Sequence, residues 1–344
     1  MKLILLFIPL LLSQVLLAQT GGKTAFPFLN NAFSASIASL GGFSNATSDD
    51  ANNSGIINPS LINTNGTGIY SINQGILASG INYGQFATLL KLKKGYLLPN
   101  IRYIHYGKFN GYDENGVATN NFTAFDYILG LSYCYPVNKV ISIGISPNII
   151  GSQLETYNSF GISTNFGATF THPNELLGLS IVAKNIGYQL KSYVPKNKSS
   201  LPIDIQAAIS YKLKHAPFKF SLIAHHLNTW DITYLDPTIK PRIDGLTGDT
   251  ITITGASFGE KLARHFAYQV ELGGKGNVNF SLGFNYNRRQ ELKLEQRPGM
   301  SGFSLGLGLK FKKFKLDYGF VIYSKAGFSN TIGLSAKLGK SKKK

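Results

Sequence analysis

Hydrophobic residues recur at every second position in many stretches of this chain, and this period of two constrains its fold more than any other feature. In the clearest stretch the apolar positions are Val278, Phe280, Leu282, Phe284 and Tyr286, with polar or small residues between them. Because successive side chains of a β-strand point to opposite faces, the stretch predicts a strand with one apolar and one polar face. Similar stretches begin at Phe125, Phe160, Ile203, Phe303, Phe314 and Phe328.

The length of these stretches favours strands that cross a membrane. Each spans roughly ten residues, which is what a tilted strand needs to cross a bilayer. In lipid an open sheet edge leaves backbone groups unpaired, so such strands close into a barrel. At roughly 20 residues per strand and connection, residues 65–339 predict an all-β fold, a transmembrane antiparallel β-barrel of about 14 strands. A soluble β-sandwich or propeller is the alternative, but its water-exposed face would carry more charge.

The composition also favours a membrane barrel. Charged residues make up 15% of the chain, against roughly 25% in soluble domains, while there are 37 glycines and 12% aromatic residues. The formal net charge is +17, but the Lys and Arg residues are spread along the chain and form no nucleic-acid-binding motif. They either solvate loops or attract anionic partners such as lipopolysaccharide. The single cysteine, Cys134, excludes an internal disulfide.

The first residues predict export. Met1 and Lys2 precede an almost wholly apolar stretch that ends at Ala18, which is typical of a secretory signal peptide over residues 1–18. An uncleaved anchor helix is the alternative, but the stretch is short for a span and a polar, glycine-rich segment follows at once. We therefore expect cleavage and delivery to the outer membrane of a Gram-negative cell.

Three other segments differ from the alternating region. Residues 19–64 are rich in Ala, Ser, Asn and Gly and predict short helices and loops, with a turn at Asn58 and Pro59. Residues 236–259 carry many turn-forming pairs and predict a large loop, inside which residues 250–254 alternate as a short hairpin arm would. Residues 340–344 form a basic tail.

No stretch carries a recognisable catalytic pattern. His225 and His226 are adjacent, and in a strand they would point to opposite faces, so they would not share a metal ion. Arg288, Arg289 and Glu291 are candidates for a partner-contact loop, beside the simpler expectation of a solvated turn. We expect no enzymatic activity, no catalytic residue, no metal and no cofactor.

Two longer motifs are specific enough to suggest a family. One runs from His215 to Ser221 and continues in His225, His226, Leu227, Trp230 and Asp231; the other runs from Asn285 to Lys293. Together with the shorter segments 20–22 and 38–42 and the pair Asn58 and Pro59, they resemble the PorQ family of the type IX secretion system of the Bacteroidetes. The resemblance extends over essentially the whole mature chain.

The resemblance implies a FadL-like barrel in which residues 19–64 form an N-terminal plug inside the lumen, with Asn58 and Pro59 as the plug turn. It also implies a place in an outer-membrane attachment complex, where the protein would anchor a PorZ-like surface protein. PorU and PorV act in the same complex and join cargo proteins to lipopolysaccharide. The chain lacks the C-terminal aromatic residue of many outer-membrane barrels. The alternative function is a FadL-type channel for hydrophobic small molecules.

Overall fold

The computed structural model describes most of the chain. The described residues are 24–47, 50–77, 80–234, 242–243, 250–251, 255–273, 276–293, 299–324 and 327–337. The predicted signal peptide at 1–18 and the basic tail at 340–344 lie outside these residues. Most of the predicted loop 236–259 also lies outside them, although Arg242–Ile243 pairs there with Thr250–Ile251 in antiparallel register.

Fourteen antiparallel strands of the described chain close into a barrel, which confirms the fold that the alternation predicts. Each strand pairs with the next in sequence, and the last returns to the first, where Lys337 faces Ile69. The strands are β1 Ile69–Leu77, β2 Asn82–Thr88 with its continuation Leu90–Lys91, β3 Tyr96–Phe109, β4 Phe122–Pro136, β5 Ile141–Leu154, β6 Tyr157–Thr171, β7 Leu177–Lys191, β8 Asp204–Lys212, β9 Phe218–Ala224, β10 Phe266–Leu272, β11 Val278–Asn285, β12 Phe303–Lys310, β13 Phe314–Ile322 and β14 Phe328–Lys337.

The strands are of unequal length on the two flanks of the barrel. Strands β3 to β7 have 14 or 15 residues each. Strands β8 to β14 have only 7 to 10. One flank is therefore much taller than the other.

Short helices complete the described structure. They are α1 Ala35–Ala38, α2 Ala51–Ile57, α3 Phe258–Arg264 and α4 Tyr286–Leu292, with 3-10 turns at Pro27–Asn30, Pro59–Leu61 and Thr64–Gly66. None of the helices in the described residues is long and apolar enough to cross a membrane. Helix α4 corrects one expectation, because Tyr286, which continues the alternating pattern of β11, already belongs to the helix.

The two faces of the barrel differ as the period of two requires. Outward-facing residues such as Ile72, Phe280 and Ile332 are about half exposed. Inward-facing residues such as Ser71 and Asn148 are buried and polar. The apolar band therefore lies on the outside, where a membrane barrel meets hydrocarbon, and the polar side chains line the lumen.

Residues 24–66, which we call the lumen segment, lie against the inner face of the barrel. Their side chains Phe26, Phe28, Leu29 and Phe33 form one buried cluster with inward-facing strand residues, which are Tyr83, Ile104, Ile128 and Ile150. Ile128 is the residue that breaks the alternation of β4, and it is fully buried in this cluster. The segment thus occupies the place that a plug would take; that it closes the barrel to solutes stays a prediction.

Inward-facing glycines let the wall approach the lumen segment closely. A Cβ atom added at Gly283 would lie 2.5 Å from the backbone of Gly41, and one at Gly319 would lie 2.4 Å from the carbonyl oxygen of Ala35. At Gly306 it would lie 2.3 Å from the Cβ of Ser39. Only glycine allows this contact, so strands β11 to β13 lie directly against the region of α1.

The two ends of the barrel differ in their connections. One end, the short-turn end, holds the start of β1, the end of β14 and the brief links 92–95, 137–140, 172–176, 213–217, 273–277 and 311–313. The other, the loop end, holds the longer links 110–121, 192–203, 225–265 and 286–302. In bacterial outer-membrane barrels short turns face the periplasm and long loops face the exterior.

A partly buried charge cluster joins the lumen segment to β13. The ammonium group of Lys315 lies 2.9 Å from Asp317 and 3.7 Å from Asp50, and Asp50 caps α2.

Replacing Lys315 by methionine removes the cation between two carboxylates, so we expect the free energy of unfolding to fall by about 1–3 kcal/mol. Urea unfolding in micelles, followed by the fluorescence of the single Trp230, measures this loss. Lys312→Met, at an exposed turn position, is the matched control, and an equal loss there would contradict the assignment.

Candidate functional site

The described parts of the longest connection, between β9 and β10, form a surface at the loop end. An ion pair of 2.6 Å between Asp231 and Lys261 joins its first part to α3. Burial alone would raise the pKa of Asp231, but hydrogen bonds from Lys261 and from Thr233 lower it to about 2. The carboxylate therefore stays charged across the physiological range, and the two parts of the loop remain tied together.

Two large aromatic side chains stand exposed on this surface. Trp230 and Phe258 have ring centroids 5.2 Å apart and are 47% and 70% exposed, with Leu262 40% exposed on the same helix as Phe258. We call these three residues the aromatic patch. Exposed Trp with neighbouring apolar residues is the composition found at the centre of protein interfaces. The patch is thus a candidate docking point for another protein.

Three histidines lie beneath the aromatic patch. Strand β9 ends at Ala224, and the Nδ1 atoms of His225 and His226 lie only 2.7 Å apart. The expectation that these two side chains point to opposite faces is therefore wrong, because the chain leaves the strand and His226 adopts a left-handed conformation, with φ of 55°. Among the described residues no three His, Cys, Asp or Glu side chains are grouped so that they could hold a metal ion.

The third histidine, His265, ties the loop to the barrel. Its two ring nitrogens face the carbonyl oxygens of His225 at 2.7 Å and of Trp230 at 3.0 Å. Its ring also lies 5.8 Å from that of Trp230. The aromatic patch is therefore supported from below by the end of β9 and the start of β10.

The predicted partner-contact residues fall on α4, and they do not all face solvent. Asn285 caps this helix by accepting a hydrogen bond from the backbone N–H of Arg288 at 2.9 Å. The Arg288 guanidinium donates inward to the carbonyl of Gly41 at 3.1 Å and lies over the ring of Tyr323. Arg288 thus holds the lumen segment, and a role in partner contact would require it to leave that position.

The two other residues of the predicted loop lie further out. Arg289 donates to the carbonyl oxygens of Gly299 and Ser301, at 3.1 and 3.4 Å. Glu291 is exposed and accepts a hydrogen bond from Asn287 one turn earlier. Of the three residues, Glu291 is the one most available to a partner, and its role stays a prediction.

The predicted plug turn lies deep in the lumen. Asn58 caps the 3-10 turn that begins at Pro59, accepting hydrogen bonds from the backbone and hydroxyl of Ser60 at 3.2 and 2.6 Å. The Ser60 hydroxyl also forms a hydrogen bond with the hydroxyl of Thr169 in β6. The backbone carbonyl oxygen of Ser60 accepts a hydrogen bond from the hydroxyl of Ser142 in β5. The turn is thereby hydrogen-bonded to two neighbouring strands of the wall.

A small polar cavity remains between the lumen segment and the wall. It has a volume of about 20 Å³, and the buried cations Arg102 and Lys184 are among the residues that line it. Arg102 donates to Asn148 at 2.8 Å and lies over the ring of Phe33. A volume of this size holds about one water molecule. The sequence analysis missed both cations, although each is a charged residue at a polar position of an alternating strand.

Comparisons with known proteins support the fold alone. No family model and no curated protein matches the chain. Among solved structures, the chain is similar to the Ralstonia pickettii toluene transporter TbuX, with a TM-score of 0.52 and 12% identity over 91% of this chain and 100% of that one. It is similar to the monoaromatic hydrocarbon channel CymD, with a TM-score of 0.52 and 12% identity over 92% of this chain and 100% of that one. It is also similar to the Pseudomonas putida toluene transporter TodX, with a TM-score of 0.51 and 9% identity over 89% of this chain and 96% of that one.

These neighbours are FadL-family outer-membrane barrels, and each is a transporter or a channel and not an enzyme. The barrel described above therefore has a FadL-like fold and resembles proteins of the outer membrane.

Proposed function

We propose that this protein is an outer-membrane anchor, whose loop end holds a surface protein, as the resemblance to the PorQ family implies. The observation that carries the proposal is the lumen segment. Its turn at Asn58 is hydrogen-bonded to the wall, its phenylalanines are buried, and the cavity beside it is about 20 Å³. A segment packed against the wall in this way would give a rigid platform in the membrane.

The aromatic patch supports the same proposal. Trp230 and Phe258 lie beyond the ends of β9 and β10, where a protein on the cell surface can reach them. The ion pair between Asp231 and Lys261 and the bonds of His265 hold the patch in one arrangement before binding. Such preorganisation reduces the entropy that a partner must lose on binding. The partner would be a PorZ-like surface protein, with PorU and PorV in the same complex.

Affinity capture from detergent-solubilised outer membranes tests the anchor. The tagged wild-type protein is expected to recover a PorZ-like surface protein, and the variant Trp230→Ala with Phe258→Ala is expected to recover at least about tenfold less, because interface centres contribute most of the binding energy. The matched control replaces Tyr112 and Val117, which are exposed on another loop of the same end. Equal recovery by all three proteins would exclude the patch as the docking point.

A channel for small hydrophobic molecules is the second candidate, and the structural comparisons fit it better than they fit the anchor. TbuX, CymD and TodX are each described as a transporter or channel for toluene or monoaromatic hydrocarbons. In this candidate the lumen segment would have to move to open a path.

Uptake by proteoliposomes separates the two candidates. Folded wild-type protein in liposomes is expected to take up labelled toluene no faster than empty liposomes if the protein is an anchor. Uptake that saturates with toluene concentration would instead support the channel. Protein that recovers no surface protein and also transports nothing would leave neither candidate standing.

A further inference from the structure

Exposed lysines lie at the short-turn end of the barrel in two groups, one at β8 and one at β12, with β9, β10 and β11 between them. We call five of them the basic rim, which consists of Lys212, Lys214, Lys310, Lys312 and Lys313, all exposed. They lie at the ends of β8 and β12 and in the turns that follow these strands. Within the described chain no carboxylate lies within ion-pair distance of these five ammonium groups. The nearby Lys219 and Lys315, in contrast, are paired with Glu271 and Asp317.

The outer wall next to this rim is hollow and apolar. The hollow, which we call the outer hollow, has a volume of about 680 Å³. It extends across five strands, β9 to β13, and its lining includes Phe218, Phe280, Leu282, Leu305, Leu307 and Phe320.

The inner face of the same strands lies against the lumen segment. Gly306 pairs with Ser281 on one side and Gly319 on the other, and both Ser281 and Gly306 also line the outer hollow. A Cβ atom at Gly306 would meet Ser39, and one at Gly319 would meet the carbonyl oxygen of Ala35. The wall therefore lies in direct contact with the region of α1 behind the outer hollow.

The outer hollow and the basic rim are adjacent. Leu307 lines the hollow, and the exposed turn that follows β12 brings Lys312 and Lys313 five and six residues after it. Phe311 in this turn and Phe314 at the start of β13 stack with ring centroids 4.5 Å apart, as aromatic residues do at the membrane–water interface. The hollow thus lies at the depth of hydrocarbon and the rim at the depth of headgroups.

We propose that the outer hollow and the basic rim together bind one anionic phospholipid of the periplasmic leaflet. An acyl chain fits the apolar hollow, and the phosphate of the headgroup accepts hydrogen bonds from Lys312 and Lys313 in the turn after β12. Because the short-turn end faces the periplasm in such barrels, the ligand is a phospholipid and not lipopolysaccharide, which belongs to the opposite leaflet. The site does not depend on the function proposed above.

A second copy of this chain is a less suitable occupant of the hollow. Two copies related by a twofold axis would bring the same surface of each together. The five lysines of each rim would then face like charges without a compensating carboxylate, which opposes association. An anionic lipid complements the rim, whereas a second copy repels it.

Native mass spectrometry of the full-length protein tests the site. The protein is released from micelles that contain equal amounts of dioleoyl phosphatidylglycerol and dioleoyl phosphatidylcholine, which share their acyl chains and differ in net charge. We expect one bound phosphatidylglycerol per barrel. We expect Lys312→Ala with Lys313→Ala to bind it at least about tenfold less, since each lysine near an anionic surface adds to the attraction.

Two further variants make the result specific. The matched control, Lys93→Ala with Lys94→Ala, removes exposed lysines from a different turn of the same end and is expected to retain the lipid. Leu305→Trp fills the outer hollow and is expected to reduce lipid binding with the rim intact. Heat-dependent migration in gels establishes that each variant is folded. Equal retention of both lipids, equal loss in the Lys93 and Lys94 control, or a dimer without lipid would each overturn the proposal.

Discussion

Valine at both Gly144 and Gly167 is expected to displace the lumen segment from the barrel. The two glycines face each other on β5 and β6, and the turn of Asn58, Pro59 and Ser60 lies over them. A Cβ atom at Gly144 would lie 2.4 Å from the carbonyl carbon of Pro59, and one at Gly167 would lie 2.0 Å from Oδ1 of Asn58. Such distances are not tolerated, so the turn, the strands or both must move.

The expected loss of stability is large because a Cβ atom at Gly144 would meet backbone atoms of Pro59 and Ser60, which cannot rotate away as a side chain can. Overpacking of a buried site costs about 1–3 kcal/mol for each substitution, so the pair is expected to lower the free energy of unfolding by about 2–6 kcal/mol. Valine itself favours strands, so the loss cannot come from β-propensity. The measurements are the urea midpoint in micelles and the rate at which protease cuts residues 24–66.

A valine at Gly276 is the matched control. This glycine lies in a turn of the short-turn end, and nothing lies within 4 Å of a Cβ atom built there. Its variant is expected to unfold at the wild-type midpoint and to keep the lumen segment protected. A double variant at Gly144 and Gly167 that behaved like this control would show that the turn does not lie where the structure places it.

Removal of residues 24–66 is expected to convert the barrel into an open pore. The inner face that the segment covers carries many Ser, Asn and Gln side chains beside its apolar clusters, and water can solvate these polar groups once the segment is gone. Eight-stranded barrels are filled by their own side chains and barrels of 16–18 strands hold aqueous channels, so 14 strands leave room for ions. In planar bilayers the wild-type protein is expected to conduct little, and the deletion variant to conduct steadily.

A milder variant covers the case in which the deletion prevents folding. Asn73 accepts a hydrogen bond from the backbone N–H of Ala35 at 3.1 Å and donates to Asn53 at 3.0 Å. Asn73→Ala with Asn53→Ala loosens the segment without removing it, and brief openings are expected in the same recordings. Wild-type protein that conducts as well as the loosened variant would contradict the view that the segment closes the lumen.

The fold was predictable because the physical reason for the pattern is strong. A strand between hydrocarbon and a polar lumen must alternate, and the stretches that begin at Phe125, Phe160 and Phe314 correspond to β4, β6 and β13. The exception at Ile128 was visible but not interpretable, because its reason is a long-range contact with the phenylalanines of the lumen segment. A sequence shows that a residue departs from the pattern, but not which distant residue it meets.

The candidate site was less predictable. The reasoning for His225 and His226 assumed that the strand continued, whereas β9 ends one residue earlier and the rings meet. Arg288 looked like a solvated charge, and only the fold shows that Gly41 lies within its reach. The aromatic patch joins residues 28 positions apart across a connection, which a local pattern does not reveal.

The unequal flanks of the barrel have a consequence for the bilayer around it. With strands tilted by about 40° and a rise of about 3.3 Å per residue, 15 residues reach about 38 Å across the membrane and 7 or 8 residues only about 19 Å. The apolar band of such barrels is about 25 Å tall. Lipids beside β9 to β12 must therefore compress, while those beside β3 to β7 need not. This mismatch gives the protein a preferred tilt and makes its thin side the place where neighbours in the membrane gather.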